Sequence, residues 1–454
     1  MSIKRLSILD ATFLHLETKE TPMHVASLMT FKLPEGAPRD FVRNLVQIYR
    51  APVPLSSPWN LKLTRVPLSG VAPAVSEDKG IDLDYHVQHA ALPEPGGERE
   101  LGELISYLHG QTLDRSRPLW TCHIVEGLEG GRFAIYIKIH HALTDGINGI
   151  RMVSRSLAQS PDGAWRAPWQ AENSLIRKSR RPAKGGGATL KANQWPSILR
   201  QAMSPIFSKQ DVMAVPVKLP FQAPRSALNG PVTAARRVAT QLLDLQRIQA
   251  LAIKAESSVN DIFLTLCSSA LRKHLISQGA LPDDSLVAAV PVSLREPGVD
   301  GGNAVGFLWA SLASDLLDPL ARLHAIRASM QASKSHLRSL PPQARSFYTM
   351  LTMAPAIGAM LSGLGARVRP PMNLTISNVP GPEQRLYLSG ADLEAIYPIS
   401  VPLQGQGLNI TCISYAGALD VGFTGSRDSL PKLQKIAVYT GEALDELEYA
   451  LREK

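Results

Sequence analysis

Between residues 133 and 139 the chain alternates, with Phe133, Ile135, Ile137 and Ile139 separated by Ala134, Tyr136 and Lys138. A period of two predicts a strand with those four residues on one face, and it places His141 on the apolar face and His140 on the other. Thr144-Asp145-Gly146 breaks this pattern, and Ile147, Ile150, Val153 and Leu157 follow at helical spacing, so a strand-to-helix turn is predicted. Strand-like and helix-like stretches of this kind fill residues 1–158, punctuated by turns at Pro34-Glu35-Gly36 and Pro95-Gly96-Gly97. They predict a first α/β unit. From 159 to 225 the texture changes to Ser160-Pro161-Asp162-Gly163, the basic run Arg177-Lys178-Ser179-Arg180-Arg181 and Gly185-Gly186-Gly187, which reads as a linker. Patterning resumes with Leu242, Leu245, Ile248 and Leu251 at helical spacing. It ends on a helix carrying Leu433, Ile436, Thr440, Leu444, Leu447 and Leu451, so 226–454 is predicted as a second unit.

One stretch departs from both patterns. Ser346 to Ala366 holds no charged residue and is long enough to cross a bilayer as a helix. Pro355, Gly358, Gly363 and Gly365 inside it favour a buried or tunnel-lining helix instead, with Met360 and Leu361 among the side chains placed to line a channel for an alkyl chain.

Composition narrows the class. At 454 residues, with 44% hydrophobic and 19% charged residues, the chain is globular and suited to two large domains. Cys122, Cys267 and Cys412 lie far apart with no C-x-x-C pair, so neither a zinc ribbon nor a disulfide framework is expected. Asp10, His15 and Glu17 interrupt any apolar region that an export signal would need, so a cytoplasmic location is expected. Lys and Arg exceed Asp and Glu by 48 − 39 = 9, which favours anionic partners. The basic run lies in a Gly/Pro-rich linker without interleaved aromatics, which argues against nucleic acid. Phosphate-loop, dinucleotide, zinc-protease and serine-elbow motifs are absent from the sequence.

The string His140-His141-Ala142-Leu143-Thr144-Asp145-Gly146 is where chemistry concentrates. A neutral imidazole beside an apolar cleft suits general-base work on an alcohol, because its pKa lies close to operating pH. His141 takes that role in this reading. The plainer alternative makes both histidines satisfied core residues and Asp145 the cap of the following helix.

This H-H-x-x-x-D-G string resembles the signature of the coenzyme A-dependent acyltransferase superfamily. Further blocks resemble its bacterial wax ester synthase/diacylglycerol acyltransferase branch, in that family's order: Leu9-Asp10-Ala11 with Phe13-Leu14, Pro22-Met23-His24-Val25, Pro118-Leu119-Trp120, Asn260-Asp261, Pro291-Val292-Ser293-Leu294-Arg295, Gly302-Asn303, Ser377-Asn378-Val379-Pro380-Gly381-Pro382 and Gly422-Phe423-Thr424-Gly425. The signature string also fits condensation domains that take acyl groups from a carrier protein, but the Pro118 and Asn378 blocks point to the wax synthase branch.

The resemblance implies an α/β fold of two chloramphenicol acetyltransferase-like domains, forming a pseudo-dimer with a tunnel between them. It implies transfer of a long-chain acyl group from acyl-CoA to a fatty alcohol or diacylglycerol without a covalent acyl-enzyme. Acyl-CoA is then a substrate, and neither cofactor nor metal is expected. His141, with His140, Asp145 and Asn260, forms the expected catalytic set, Asn260 donating to the oxyanion. Asp145 is expected to pair with Arg295, and Gly146 to support the turn. Pro118, Leu119, Trp120, Ser377 and Asn378 join Met360 and Leu361 as expected tunnel walls. Because acceptor and product are insoluble, peripheral association with an anionic membrane or lipid-droplet surface is expected, through the cluster Arg177, Lys178, Arg180, Arg181 and Lys184.

Overall fold

The alternation read from the sequence becomes the centre of a six-stranded sheet. The computed structural model describes residues 3–67, 70, 72–170, 217–293, 305–361 and 369–452. In chain order the first half contains β1 (Lys4–Arg5), α1 (Ile8–Leu16), β2 (His24–Lys32), α2 (Phe41–Tyr49), β3 (Leu61–Thr64), β4 (Ala74–Glu77), α3 (Leu83–His86), β5 (Val87–Ala91), α4 (Glu98–Gly110), β6 (Trp120–Leu128), β7 (Arg132–His140) and α5 (Gly146–Ser154). The second half contains β8 (Arg236–Asp244), α6 (Leu245–Lys254), α7 (Val259–Ser277), β9 (Val287–Ser293), β10 (Val305–Ser311), α8 (Pro319–Ser339), α9 (Pro342–Leu361), β11 (Leu374–Val379), β12 (Tyr387–Leu388), β13 (Ala391–Ile399), β14 (Leu408–Tyr415), β15 (Ala418–Ser426) and α10 (Leu433–Arg452). The expected strand and the helix after Thr144-Asp145-Gly146 are β7 and α5. The helical spacing read from Leu242 begins three residues late, because Leu242 lies exposed on β8 and α6 starts after the cap Asp244.

Two six-stranded sheets result, ordered β12-β13-β2-β7-β6-β5 and β10-β9-β11-β14-β15-β8, with a small β1-β4-β3 sheet beside the first. The division at residue 225 is therefore not the boundary between sheets: β12 and β13, from the second half, complete the first sheet by antiparallel pairing of β13 with β2. In return, α4 of the first half packs on β8, where the hydroxyl oxygen of Ser106 accepts from the Val238 N–H at 2.9 Å. Each half is incomplete without the other.

The sheets meet where β13 passes β15. A Cβ on Gly422 would overlap the carbonyl oxygen of Pro398, so only glycine permits that approach. A Cβ on Gly381 would likewise overlap the Ser414 carbonyl oxygen, which accounts for the glycine between two prolines. At the same crossing the fully buried Asp420 accepts from the Ile396 N–H at 2.7 Å through Oδ2.

The larger core lies under the second sheet. There α7 is buried along most of its length, through Ile262, Phe263, Leu266, Cys267, Leu271 and Leu275, where α8 and α10 pack against it. The core of the first half centres on Trp59, Trp120 and Trp169. The uncharged stretch beginning at Ser346 enters α9, which carries Pro355 within the helix. Among the described residues no helix is long and apolar enough to cross a membrane.

Candidate active site

β7 delivers the two histidines, and its pairing with β2 sets His24 opposite His140. His141 continues the ladder one residue beyond the strand, its N–H donating to the Met23 carbonyl at 2.9 Å. As the alternation predicts, the side chains diverge. His140 is fully buried; its Nδ1 accepts from the Ala142 N–H at 3.1 Å, and its Nε2 faces Glu17 Oε1 at 3.5 Å. The His141 ring instead stacks on Phe13 of α1, with centroids 4.0 Å apart and planes 9° apart. Its Nδ1 is buried without a hydrogen-bond partner. Burial lowers the His141 pKa below the ordinary histidine value, against the opposing pull of its own backbone and of Asp145. The imidazole is consequently neutral at neutral pH, the form a general base requires.

Asp145 is bound within its own turn. It caps α5, accepting from the Asn148 N–H at 2.7 Å and from the Asn148 amide nitrogen at 3.0 Å. Its expected partner Arg295 lies outside the described residues. Gly146 opens α5 and, with Gly149, Ile150, Met152 and Val153, forms one wall of a narrow apolar crevice of about 60 Å³. Val25, Ser27, Ile137 and Ile139 form another wall, while Trp59, Val379, Ile399, Ser400 and Thr411 complete the lining. The crevice thus runs along the apolar face of β7 beside the seam between the sheets. Ser27 Oγ is buried there without a partner.

The other sequence candidates divide. Pro118, Leu119 and Trp120 are buried in packing: the Leu119 carbonyl accepts from the His140 N–H at 2.9 Å, and Trp120 Nε1 donates to the Trp59 carbonyl at 2.7 Å. They support the turn from behind, and it is Trp59 that reaches the crevice. Ser377 shares a strand face with the lining residue Val379, whereas Asn378 lies on the opposite face. Asn260 occupies the second position of α7, behind the cap Ser258, and no hydrogen bond joins it to the His141 turn. The side chains of Met360 and Leu361, at the end of α9, are outside the described residues, as is the basic cluster Arg177–Lys184.

Sequence reading missed Glu17 as a site residue. Its carboxylate accepts from Arg115 Nε and Nη2 at 3.1 and 2.9 Å, and from the Met23 N–H at 3.0 Å. Burial alone would raise this carboxyl, but His140, Met23 and Arg115 together hold it down at about 2. Phe13 lies on α1 and Glu17 caps its end four residues on, a spacing that marks a helix end without marking a function. Behind His140 the interior is basic: Lys138 Nζ donates to the Leu108 and Gln111 carbonyls at 2.8 and 2.7 Å, and burial brings its pKa down to about 7. Among the described residues no group of His, Cys, Asp and Glu is placed to hold a metal ion.

Comparison with known proteins agrees with this geometry. The wax ester synthase/diacylglycerol acyltransferase catalytic domain matches residues 6–263, and the WS/DGAT C-terminal domain matches 301–448. A putative diacylglycerol O-acyltransferase of Mycobacterium tuberculosis is 42% identical, across 98% of this chain and 100% of its own length. The O-acyltransferase WSD of Acinetobacter baylyi is 38% identical, across 97% and 96%. The solved wax ester synthase/diacylglycerol acyltransferase of Marinobacter aquaeolei VT8 superposes with a TM-score of 0.79 at 34% identity, covering 99% of this chain and all of that one. The first condensation domain of the CDA synthetase shares the fold alone, with a TM-score of 0.59 at 15% identity. An α/β fold of acyltransferase type, the signature turn on β7 and matches spanning both halves lead to one assignment: the chain belongs to the wax ester synthase/diacylglycerol acyltransferase family.

Proposed function

We propose that the chain transfers a long-chain acyl group from acyl-CoA to the hydroxyl of a fatty alcohol or a diacylglycerol, with His141 as general base. The observation that carries this reading is an imidazole stacked on Phe13 and set two residues beyond Ile139, which lines the apolar crevice. An aliphatic chain lying in that crevice brings its polar end toward the His141 turn. His141 takes the hydroxyl proton while the oxygen attacks the thioester carbonyl carbon. The tetrahedral intermediate collapses with cleavage of the C–S bond, and the imidazolium returns its proton to the departing thiolate. No acyl-enzyme forms along this route. Asn260 stays the proposed oxyanion donor on the strength of family resemblance alone.

An insoluble acceptor also argues for work at a lipid surface, with the basic cluster Arg177–Lys184 as the proposed anchor. Molar salt is then expected to release the protein from pelleted membranes. The activity itself is tested by supplying palmitoyl-CoA with hexadecanol or with a diacylglycerol, beside the same acyl group on a phosphopantetheinyl carrier protein. Ester formation from the CoA thioester is expected; transfer from the carrier alone would overturn the reading.

A further inference from the structure

Glu17 stands where three parts of the site meet. As the carboxyl-terminal cap of α1, it donates its N–H to the Phe13 carbonyl at 3.2 Å, and its side chain turns inward, only 5% exposed. Arg115 grips both the Glu17 carboxylate and the end of the same helix, donating through Nη2 to the Leu14 carbonyl at 2.9 Å. Oε1 receives the N–H of Met23, whose carbonyl in turn receives the N–H of His141. The same Oε1 faces His140, whose Nδ1 is already an acceptor for Ala142. A neutral imidazole has one donor and one acceptor nitrogen, so the proton of His140 resides on Nε2, toward the carboxylate.

We propose that Glu17 is a positioning residue for the transfer reaction. Together with the Ala142 N–H on Nδ1, it holds His140 in the tautomer protonated on Nε2, which locks the backbone turn carrying His141, and it anchors α1 so that Phe13 stays against the His141 ring. Both histidines are then accounted for: His140 is committed to holding the turn, which leaves His141 to act on substrate. Arg115 matters through Glu17, because its two charge-assisted hydrogen bonds hold the carboxylate in place. This inference rests on the reading of His141 as base.

The test compares Glu17→Gln, Arg115→Met and His141→Ala in the full chain, measuring kcat, the KM for palmitoyl-CoA and for hexadecanol, and nitrogen NMR of labelled histidine rings. Glu17→Gln is expected to lower kcat by about 10- to 100-fold, with KM essentially unchanged. The two ring nitrogens of His140 should pass from a single-tautomer signature toward an averaged one. Arg115→Met should move both readouts the same way and carries the test if Glu17→Gln does not fold. A folded Glu17→Gln with wild-type kcat and unchanged His140 resonances, beside an inactive His141→Ala, overturns the proposal. Full activity in His141→Ala refutes the base assignment instead, and the His140 resonances then decide separately whether Glu17 sets that tautomer.

Discussion

Phe13 lies flat on the ring of His141, although the two are separated by most of the first half of the chain, with centroids 4.0 Å apart. This stack both orients the imidazole and removes water from one of its faces, and burial is the leading cause of the lowered His141 pKa. Removing the phenyl ring therefore returns the pKa upward toward the ordinary histidine value. Because the proposed base must be neutral to act, the acid limb of the kcat/KM profile in Phe13→Ala should move to higher pH. Activity is then lost more at pH 6 than at pH 8. A profile scaled down uniformly, with its limb unmoved, would separate Phe13 from the base.

Asp145 caps α5 through the Asn148 N–H. Loss of such a cap costs about 0.5–2 kcal/mol, whereas asparagine caps almost as well as aspartate. Asp145→Ala should therefore lower the thermal midpoint and activity together, and Asp145→Asn should keep most of the stability. Thermal denaturation of the two variants checks this ordering.

The strand ending in two histidines, the turn and α5 were all legible in the sequence, because alternation and helical spacing are local properties. What periodicity could not reveal was pairing at a distance. β12 and β13 carry ordinary strand patterns, and only the antiparallel pairing of β13 with β2 shows that they belong to the first sheet. Glu17 was hidden for the same reason, since its meaning depends on Arg115 and His140, both more than ninety residues away along the chain. Pro118-Leu119-Trp120 stood out as a block, yet a block cannot show which way its side chains point. The structure turns Trp120 toward Trp59 and Trp169 and leaves the crevice to Trp59.

Gly149 borders the crevice, and an added Cβ would meet only Thr144, at ordinary contact distances of 3.8 and 3.9 Å. Gly149→Ala should thus be tolerated, and a helix interior gains up to about 1 kcal/mol from that exchange. Gly149→Val pushes further into the bore. The ratio of kcat/KM for hexadecanol over octanol is expected to fall by about tenfold or more, the scale set by lost contacts of a few methylenes. An unchanged ratio would place the aliphatic chain elsewhere.

Asp420 is a buried carboxylate whose pKa is pushed up to about 7 by burial, against the Ile396 N–H that favours its ionised form. Between its unfolded value and about 7, the folded state holds the extra proton, so this group's contribution to stability falls as pH rises through that window. Asparagine can accept the same hydrogen bond without a charge to bury. Asp420→Asn should therefore gain on wild type as pH rises from 5 to 8, by on the order of 1 kcal/mol or more. Paired denaturation curves at the two pH values read this directly, and a difference that shrinks with pH would contradict it.

The most direct test of the central assignment is the rate at which His141→Ala releases CoA from palmitoyl-CoA in the presence of hexadecanol. With His141 as the base, kcat falls by about 10²–10⁴ while the protein keeps its cooperative unfolding transition. A folded His141→Ala that turns over at the wild-type rate would contradict the account.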